Sequence, residues 1–306
     1  MVRKEVSFLT FLLSNRYIFD IIKNGDVMKK ILVVGLVGES VFMKCDHFHK
    51  KAETIIVDHI YDEIGGKGFN QALTIKQLGG SVLFISAVGK DSNGQKCIED
   101  TNKLGLEHIY IEKDLPTAYA TILTNKVGEN QVSVFHGAKL ERSDLPLIFK
   151  EVNNADIILL QLEIDQEITK EIIKFAKENE KTVILNPAPA TKLIDEYLMC
   201  DLLIPNEREV IDLFGENYLE QISQYPLKLI VTMGEKGSLL INNDVTAYNV
   251  EKQEVVDTTG AGDIFCGTIA YSLSIGETLD KAIKKANELA SKSVQYSYVI
   301  PTILKL

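Results

Sequence analysis

A glycine-containing run near the C-terminus, residues 257–263, has the residue types that phosphoryl transfer requires. Gly260, Ala261 and Gly262 directly precede Asp263, and an apolar stretch over 264–270 follows. This pattern predicts a buried helix whose first turn begins within the glycines. Free N–H groups at such a start, with the helix dipole behind them, stabilise negative charge on a transferring phosphoryl group. Asp263 could then accept a proton from an attacking hydroxyl, whereas the simpler alternative is a tight turn without catalytic function.

A second glycine-rich run, residues 65–70, places one lysine and one asparagine among three glycines. Glycines let the backbone approach a ligand closely, and Lys67 and Asn70 provide hydrogen-bond donors for hydroxyl groups. The alternative is a flexible turn before a helix. The run lacks the spacing of a P-loop, and residues 35–38 lack the dinucleotide fingerprint, so nicotinamide chemistry is not supported.

The composition favours small-molecule chemistry in one large α/β domain. The chain has 306 residues, 45% of them apolar, which is enough to bury a full core. Its net charge is −10 without a dense Lys/Arg block, so nucleic-acid binding is disfavoured, and no apolar run is long enough to span a bilayer. The cysteines lack the spacing of a zinc site or a disulfide framework, and we expect a cytoplasmic protein. These cysteines are Cys45, Cys97, Cys200 and Cys266.

The first 27 residues superficially imitate a signal peptide. Arg3 and Lys4 precede a short apolar run over 6–13, but Glu5 interrupts the pattern and no small-residue cleavage site follows. Met28 directly precedes a basic pair and a predicted strand. We therefore expect residues 28–306 to form the functional domain, and residues 1–27 to be a dispensable extension or an over-called start.

From residue 29 onward, short apolar runs alternate with longer amphipathic stretches, which is the pattern of βαβ units. Predicted strands cover 31–35, 82–88, 157–160, 182–185, 202–204 and 227–232, and predicted helices cover 71–78, 94–104, 166–179 and 279–295. The expected fold is therefore α/β and doubly wound: a mostly parallel sheet flanked by helices on both faces.

Two segments, 41–64 and 117–135, break this alternation with short β-type runs. The runs over 122–125 and 131–134 flank a turn at 128–130 and predict a hairpin. We expect both segments to leave the main sheet together as a small β lid that excludes water during chemistry. The alternative is a surface hairpin without function.

The two glycine-rich runs belong to an ordered series of motifs that resembles ribokinase-like (PfkB-type) carbohydrate kinases. The resemblance covers residues 29 to about 302 and is closest to the ribokinase branch. Between the glycine-rich runs it rests on residues 86–94, 128–130, 161–163, 186–190, 205–209 and 232–237, in that order.

The resemblance implies ATP-dependent phosphorylation of a sugar hydroxyl. Asp263 is then the general base, and the backbone N–H groups of Gly260, Ala261 and Gly262 form the anion hole. Gly66, Lys67, Asn70 and Glu163 fall on sugar-binding positions, together with Asp263.

Further motif positions imply sites for the nucleotide and for metal ions. Those for ATP are Asn206, Thr232, Gly234, Lys236, Gly237, Gly262 and Asn287, although Asn287 alone would be interpreted as a helix-surface amide. Asn206 and Glu209 are expected to organise Mg²⁺ through water. A monovalent cation, K⁺, is expected at Asp257, Thr259, Ser293, Tyr296, Tyr298 and Thr302, although the family usually has glycine where this chain has Tyr298.

The chain departs from the family at two further sugar-binding positions. Gly38 and Ser40 stand where ribokinase has an asparagine and an aspartate, while Glu39 is expected to point away from the site and Asp46 or His47 could contribute from the lid. Ribose is the first candidate acceptor. Another sugar, a sugar phosphate, a nucleoside, or a non-catalytic sensor on the same fold remain alternatives. A homodimer through exposed lid strands is a further expectation.

Overall fold

The computed structural model describes residues 28–126, 129–190, 192–222, 228–242 and 244–306. The expectation for residues 1–27, and part of the predicted turn at 128–130, lie outside these described residues. Within the described ranges, no helix combines the length and the apolar character needed to cross a membrane.

The described strands form two sheets. They are β1 Ile31–Val34, β2 Gly38–Lys44, β3 His59–Gly65, β4 Val82–Gly89, β5 His108–Lys113, β6 Ala118–Thr124, β7 Asn130–Phe135, β8 Ile157–Gln161, β9 Thr182–Asn186, β10 Leu202–Leu203, β11 Lys228–Thr232, β12 Ser238–Ile241 and β13 Val245–Tyr248. The larger sheet has the order β13-β12-β11-β10-β9-β8-β1-β4-β5. Its pairings are parallel from β5 to β11, and β12 and β13 add an antiparallel edge.

Helices cover both faces of this sheet. They are α1 Lys67–Gln77, α2 Ser92–Lys103, α3 Leu145–Asn154, α4 Gln166–Glu178, α5 Glu207–Phe214, α6 Tyr218–Ile222, α7 Ala261–Ser274, α8 Leu279–Ser293 and α9 Val299–Ile303, with short 3₁₀ turns at Arg142–Asp144, Asp195–Met199 and Gly234–Lys236. One buried core includes Phe69, Ile264 and Ile283, and the other includes Ile148 and Ile172. The predicted doubly wound α/β fold is confirmed.

The smaller sheet has the order β3-β2-β6-β7, and we call it the lid sheet. β2 pairs with β6 in parallel, while β2–β3 and β6–β7 are antiparallel. Both segments that break the βαβ pattern therefore meet in one sheet, although its strands begin at Gly38 and end at Gly65 rather than at residues 41 and 64.

Candidate active site

Helix α7 begins within the glycine run and carries Asp263 in its first turn. Gly260 precedes the helix with φ +80°, a left-handed conformation that glycine adopts without strain. A Cβ at Gly260 would also lie 2.7 Å from Val299 Cγ1, so a side chain there would displace Val299. Asp263 is buried, and its carboxylate therefore needs hydrogen-bond partners.

Two amides of helix α1 supply these partners. Asn70 Nδ2 donates to Asp263 Oδ2 over 2.8 Å, and Gln71 Nε2 donates to Oδ1 over 3.2 Å. The two helices pack closely because Gly267 of α7 has no side chain; a Cβ there would lie 2.8 Å from Gln71 O. The orientation of the Asp263 carboxylate is thus fixed from α1.

A chain of buried amides that sequence reasoning missed stands behind Asp263. Gln161 Nε2 donates to Gln71 Oε1 over 2.6 Å, and Gln71 Nε2 also lies 3.1 Å from Asn186 Oδ1. Gln161 ends β8 and Asn186 ends β9, and the carboxyl ends of neighbouring parallel strands meet at one edge of a sheet. An amide directly after an apolar strand was the sequence signal that could have found both.

A cavity of about 220 Å³ lies between the lid sheet and the start of α7, and we call it the lid cavity. Its floor contains Gly66, Lys67, Asn70, Glu163 and Asp263. Its roof is the face of the lid sheet that carries Gly38, Ser40, Phe42, Glu63, Ala118, Ala120, Ile122, Val132 and Val134. The structure therefore brings together all the residues that the resemblance places around a sugar.

Lys67 and Glu163 are charged groups of the floor. The backbone N–H of Lys67 donates to Glu163 Oε2 over 2.7 Å. Burial opposes the charge of Lys67, but the carboxylates of Asp263, Glu163 and Glu209 outweigh it and raise the pKa of Lys67. Burial raises the pKa of Glu163 to about 7, against the opposing effect of Lys67. Lys67 therefore keeps its positive charge at neutral pH.

A larger cavity of about 720 Å³ adjoins the same helix start, and we call it the outer cavity. Six of the residues expected to bind ATP line it: Asn206, Thr232, Gly234, Gly237, Gly262 and Asn287. Asn287 is buried and donates to Ser238 Oγ over 2.9 Å, so it is not an exposed helix-surface amide. Lys236 does not line the cavity; its Nζ lies 3.6 Å from Glu207 Oε1 at the cavity wall.

The start of α7 is shared by the two cavities. Gly260 and Asp263 line the lid cavity, whereas Ala261 and Gly262 line the outer cavity. A group transferred from a ligand in the outer cavity to a ligand in the lid cavity would pass this helix N-terminus. Backbone N–H groups and the helix dipole favour an anion there.

A family model agrees with this geometry. The model described as pfkB family carbohydrate kinase matches residues 28–305. The chain belongs to this family. It is therefore a carbohydrate kinase, and the resemblance seen in its motifs is confirmed.

The chain is similar both to ribokinases and to a deoxyribokinase. Ribokinase from Thermotoga maritima is 34% identical, with a TM-score of 0.81 over 90% of this chain and 95% of that one. A ribokinase from Arabidopsis thaliana, solved with ribose and ATP, is 26% identical, with a TM-score of 0.79 over 91% and 98%. Deoxyribokinase from Salmonella typhi is 31% identical over 86% of this chain and 92% of that protein.

The pair expected to organise magnesium in the kinase lies at the start of α5. Asn206 Oδ1 accepts from Glu209 N, and Glu209 Oε2 accepts from Asn206 N, both over 2.8 Å. This capping box fixes both side chains. Burial raises the pKa of Glu209, and the nearby charge of Asp263 adds to the rise, so a cation would relieve local negative charge. Among the described residues, no group of three or more His, Cys, Asp or Glu side chains is placed to hold a metal ion directly.

Two of the residues expected to bind a monovalent cation are linked directly. Asp257 Oδ1 accepts from Thr259 N over 2.9 Å and from Thr259 Oγ1 over 2.7 Å. Asp257 N donates to Val294 O over 3.1 Å, which holds this loop against the end of α8. Ser293 and Tyr296 lie in the same turn, where Tyr296 N donates to Ser293 O over 3.1 Å.

Tyr298 differs from the family in side chain but keeps a glycine-like backbone. Its φ is +68°, a conformation that glycine adopts readily and tyrosine rarely does. Its ring stacks on Tyr61 of the lid with centroids 3.9 Å apart. Thr302 Oγ1 donates to Tyr298 O over 2.5 Å. The chain therefore has a glycine-like backbone at this position although the residue is tyrosine.

The positions that depart from the family lie in and beside strand β2 of the lid sheet. Gly38 and Ser40 line the lid cavity. Glu39 also lines it, but its Oε1 lies 2.9 Å from Lys96 Nζ. Asp46 and His47 do not line this cavity. Asp46 forms an exposed ion pair with Lys126, and His47 Nε2 lies 3.0 Å from Glu53 Oε1. They are therefore solvated lid residues.

Proposed function

We propose that the protein is an ATP-dependent kinase that transfers the γ-phosphate to a hydroxyl group of a small uncharged sugar, with ribose as the first candidate. The observation that carries this proposal is the position of the α7 start between the two cavities. Asp263 faces the smaller cavity and Gly262 the larger one. ATP in the outer cavity and a sugar in the lid cavity would thus meet at one helix N-terminus.

The residues suggest the following division of roles. Asp263 accepts the proton of the attacking hydroxyl, with Asn70 and Gln71 holding its carboxylate in one orientation. The N–H groups of residues 260–262 stabilise charge on the transferring phosphoryl group. Lys67, Gly66, Asn70 and Glu163 position the sugar, and the lid excludes water.

Magnesium and the nucleotide belong to the outer cavity in this proposal. Asn206 and Glu209 would hold Mg²⁺ through water, and the ion would neutralise phosphate charge during transfer. Thr232, Gly234, Gly237 and Asn287 line the space for ATP. Lys236 would reach the nucleotide only after leaving Glu207. We also propose K⁺ beside Asp257 and Thr259.

The charge of the lid cavity favours an uncharged acceptor. The carboxylates among its described lining residues are Glu39, Glu63, Glu163 and Asp263, and Lys67 is the one basic residue there. Burial raises the pKa values of Glu63 and Glu163 to about 7, so these two groups carry only part of their charge at neutral pH. The carboxylates that are ionised repel a phosphate, so sugar phosphates are disfavoured. The volume of about 220 Å³ lies below the roughly 300–1,000 Å³ typical of pockets for drug-sized ligands, which favours a monosaccharide over a nucleoside.

A second candidate acceptor is deoxyribose. Gly38 and Ser40 supply fewer polar contacts than the asparagine and aspartate of ribokinase. The chain is also 31% identical to a deoxyribokinase. We further propose a cytoplasmic location, which the four unpaired cysteines support, and a homodimer through the lid sheet.

An ADP-release assay across pentoses, hexoses, a sugar phosphate and nucleosides tests the proposed reaction. We expect a free pentose to be the best acceptor. Asp263→Asn should lower its turnover roughly a hundred- to ten-thousand-fold, because general-base catalysis is lost. Asp280→Asn is the matched control, since Asp280 lies in the first turn of α8 and lines neither cavity. Near-normal turnover by purified Asp263→Asn would exclude Asp263 as the base, and binding without turnover would favour a sensor.

A further inference from the structure

The roof of the lid cavity offers few polar groups to a sugar. The described residues of β6 and β7 that line the cavity are Ala118, Tyr119, Ala120, Ile122, Val132 and Val134, and among them only Tyr119 has a polar side-chain group. A polyhydroxylated ligand whose reacting hydroxyl lies at Asp263 must direct other hydroxyls toward this roof. Hydroxyls left there without a partner would weaken binding, because an unsatisfied buried polar group costs about 1–3 kcal/mol.

Strand β2 cannot supply a larger anchor at its first position. A Cβ at Gly38 would lie 2.4 Å from Ala118 O in the neighbouring strand. Because that contact is with backbone, a side chain at Gly38 would force the two lid strands apart. Ser40 is then the polar side chain that β2 presents to the cavity, since Glu39 is engaged by Lys96.

Glu63 lies directly opposite Ser40. The register of the antiparallel β2–β3 pair aligns these two residues, and opposite residues of such a pair project to the same face. Both residues line the lid cavity, and Glu63 is only 5% exposed. The roof thus contains a hydroxyl and a carboxylate side by side, and the reaction described above assigns no role to the carboxylate.

The Glu63 carboxylate is fixed but not saturated. Val299 N donates to its Oε1 over 2.8 Å, and Ile300 N donates to its Oε2 over 3.0 Å. The Tyr61 side chain also hydrogen-bonds to Glu63. A carboxylate has about four acceptor sites, so these three bonds leave one site for a ligand. Val299 also packs against Gly260, since a Cβ at Gly260 would lie 2.7 Å from Val299 Cγ1. Glu63 is therefore held in a defined place relative to the helix that carries Asp263.

We propose that Glu63, together with Ser40, is a specificity-determining anchor that accepts hydrogen bonds from hydroxyls of the sugar at the end remote from Asp263. The proposal rests on the proposed function, since it concerns the acceptor in the same cavity. It selects fully hydroxylated sugars over deoxy analogues, because a site with a buried carboxylate penalises a ligand that leaves it without a donor. Ribose is then favoured over deoxyribose.

The decisive measurement is the ratio of kcat/KM for ribose to that for 2-deoxyribose. We expect this ratio to exceed ten in the unaltered protein and to approach one in Glu63→Gln, mainly through a higher KM for ribose. Asp62→Asn is the matched control: Asp62 precedes Glu63 on β3, pairs with Lys96 and does not line the cavity. It should leave the ratio unchanged.

A purely structural role of Glu63, holding α9 in place, predicts a different outcome. Glu63→Gln would then weaken turnover of both sugars equally, and an unchanged ratio would overturn the proposal. Ser40→Ala, which leaves the bonds from Val299 and Ile300 to Glu63 in place, keeps the test valid if Glu63→Gln does not fold. It should lower the ratio in the same direction.

Calorimetric titration of each sugar in the absence of ATP separates this proposal from the proposed function. Weaker ribose binding by Glu63→Gln, with no effect on 2-deoxyribose, would support the anchor even if no turnover were found. If the unaltered protein bound neither sugar, or bound both equally, the anchor would be excluded. Activity retained by Asp263→Asn would instead contradict the catalytic assignment alone.

Discussion

The carboxylates around the lid cavity differ in the partners that the fold gives them. Asp263 accepts from two amide side chains, and Glu63 accepts from two backbone N–H groups. Glu163 accepts from the backbone N–H of Lys67 and lies near its charge. In the proposed reaction, these environments separate Asp263, which accepts a proton, from Glu63 and Glu163, which bind and position the sugar.

The burial of Glu163 predicts a pH-dependent stability. Its pKa is raised from 4.5 to about 7, so the folded chain keeps a proton that the unfolded chain releases above about pH 4.5. The stability that this proton provides is complete below pH 4.5 and is lost as the pH rises through about 7. Denaturant titrations at pH 5 and pH 8 should therefore show a smaller pH-dependent loss for Glu163→Gln than for the unaltered protein, by up to about 3 kcal/mol.

The control for this experiment is Glu167→Gln. Glu167 lies in the first turn of α4, and its side chain is 57% exposed. It should keep the pH dependence of the unaltered protein. If Glu163→Gln also kept that dependence, Glu163 would not be the group that binds the proton.

The sequence predicted a catalytic role for Asp263 because the glycine motif beside it is local. The contacts of Asp263 with the amide side chains of Asn70 and Gln71 could not be predicted in the same way. Gln71 meets Asp263 and Asn186 across more than a hundred residues of chain. Such contacts depend on the strand order, which apolar periodicity does not specify. Glu63 was missed for the same reason, since its partners are backbone groups near the C-terminus.

At the scale of elements, the short C-terminal segment connects the lid with the start of α7. At the start of helix α9, Val299 N donates a hydrogen bond to Glu63 of the lid sheet. Tyr298, directly before this helix, stacks on Tyr61 of β3. The same segment leads back to Asp257 through the turn at the end of α8. The loop that leads from Asp257 to Gly260 is therefore held by the turn after α8. A cation bound at this turn would order the loop.

This arrangement predicts activation by potassium. Carbonyl oxygens and the Asp257 carboxylate would bind K⁺, and the ion would hold the loop that leads into Gly260. We expect higher turnover in potassium chloride than in sodium chloride at equal ionic strength, and a smaller difference in Asp257→Asn. Equal rates of the unaltered protein in the two salts would argue against a cation site.

Element boundaries show where local patterns are insufficient. Helix α1 begins at Lys67 rather than at the predicted residue 71, because its first turn lies within the glycine run and contains a single large apolar residue, Phe69. Strands β5, β12 and β13 were not predicted. β5 is only half-buried, β12 has only four residues, and three of the four residues of β13 are exposed. The central strands, in contrast, were predicted because both of their faces are buried and their sequences are continuously apolar.

At the scale of the whole molecule, a single chain leaves one edge of the lid sheet exposed to solvent. β7 is an edge strand, and all six of its residues are exposed. Val132 and Val134 line the lid cavity, yet they are 57% and 48% exposed. An exposed apolar edge strand tends to pair or to be covered. A second copy of the chain would cover this edge and complete the outer wall of the cavity.

The final prediction concerns this homodimer. Analytical ultracentrifugation should show a dimer, and Val134→Asp should shift it toward monomer, because a charge would be buried in the contact. The KM for the sugar should rise in the same variant, since the wall of the lid cavity would open. Val245→Asp is the control, because Val245 is 54% exposed on β13, the edge strand of the main sheet. A monomer at all concentrations of the unaltered protein would exclude the lid contact, and each chain would then have to close its own cavity.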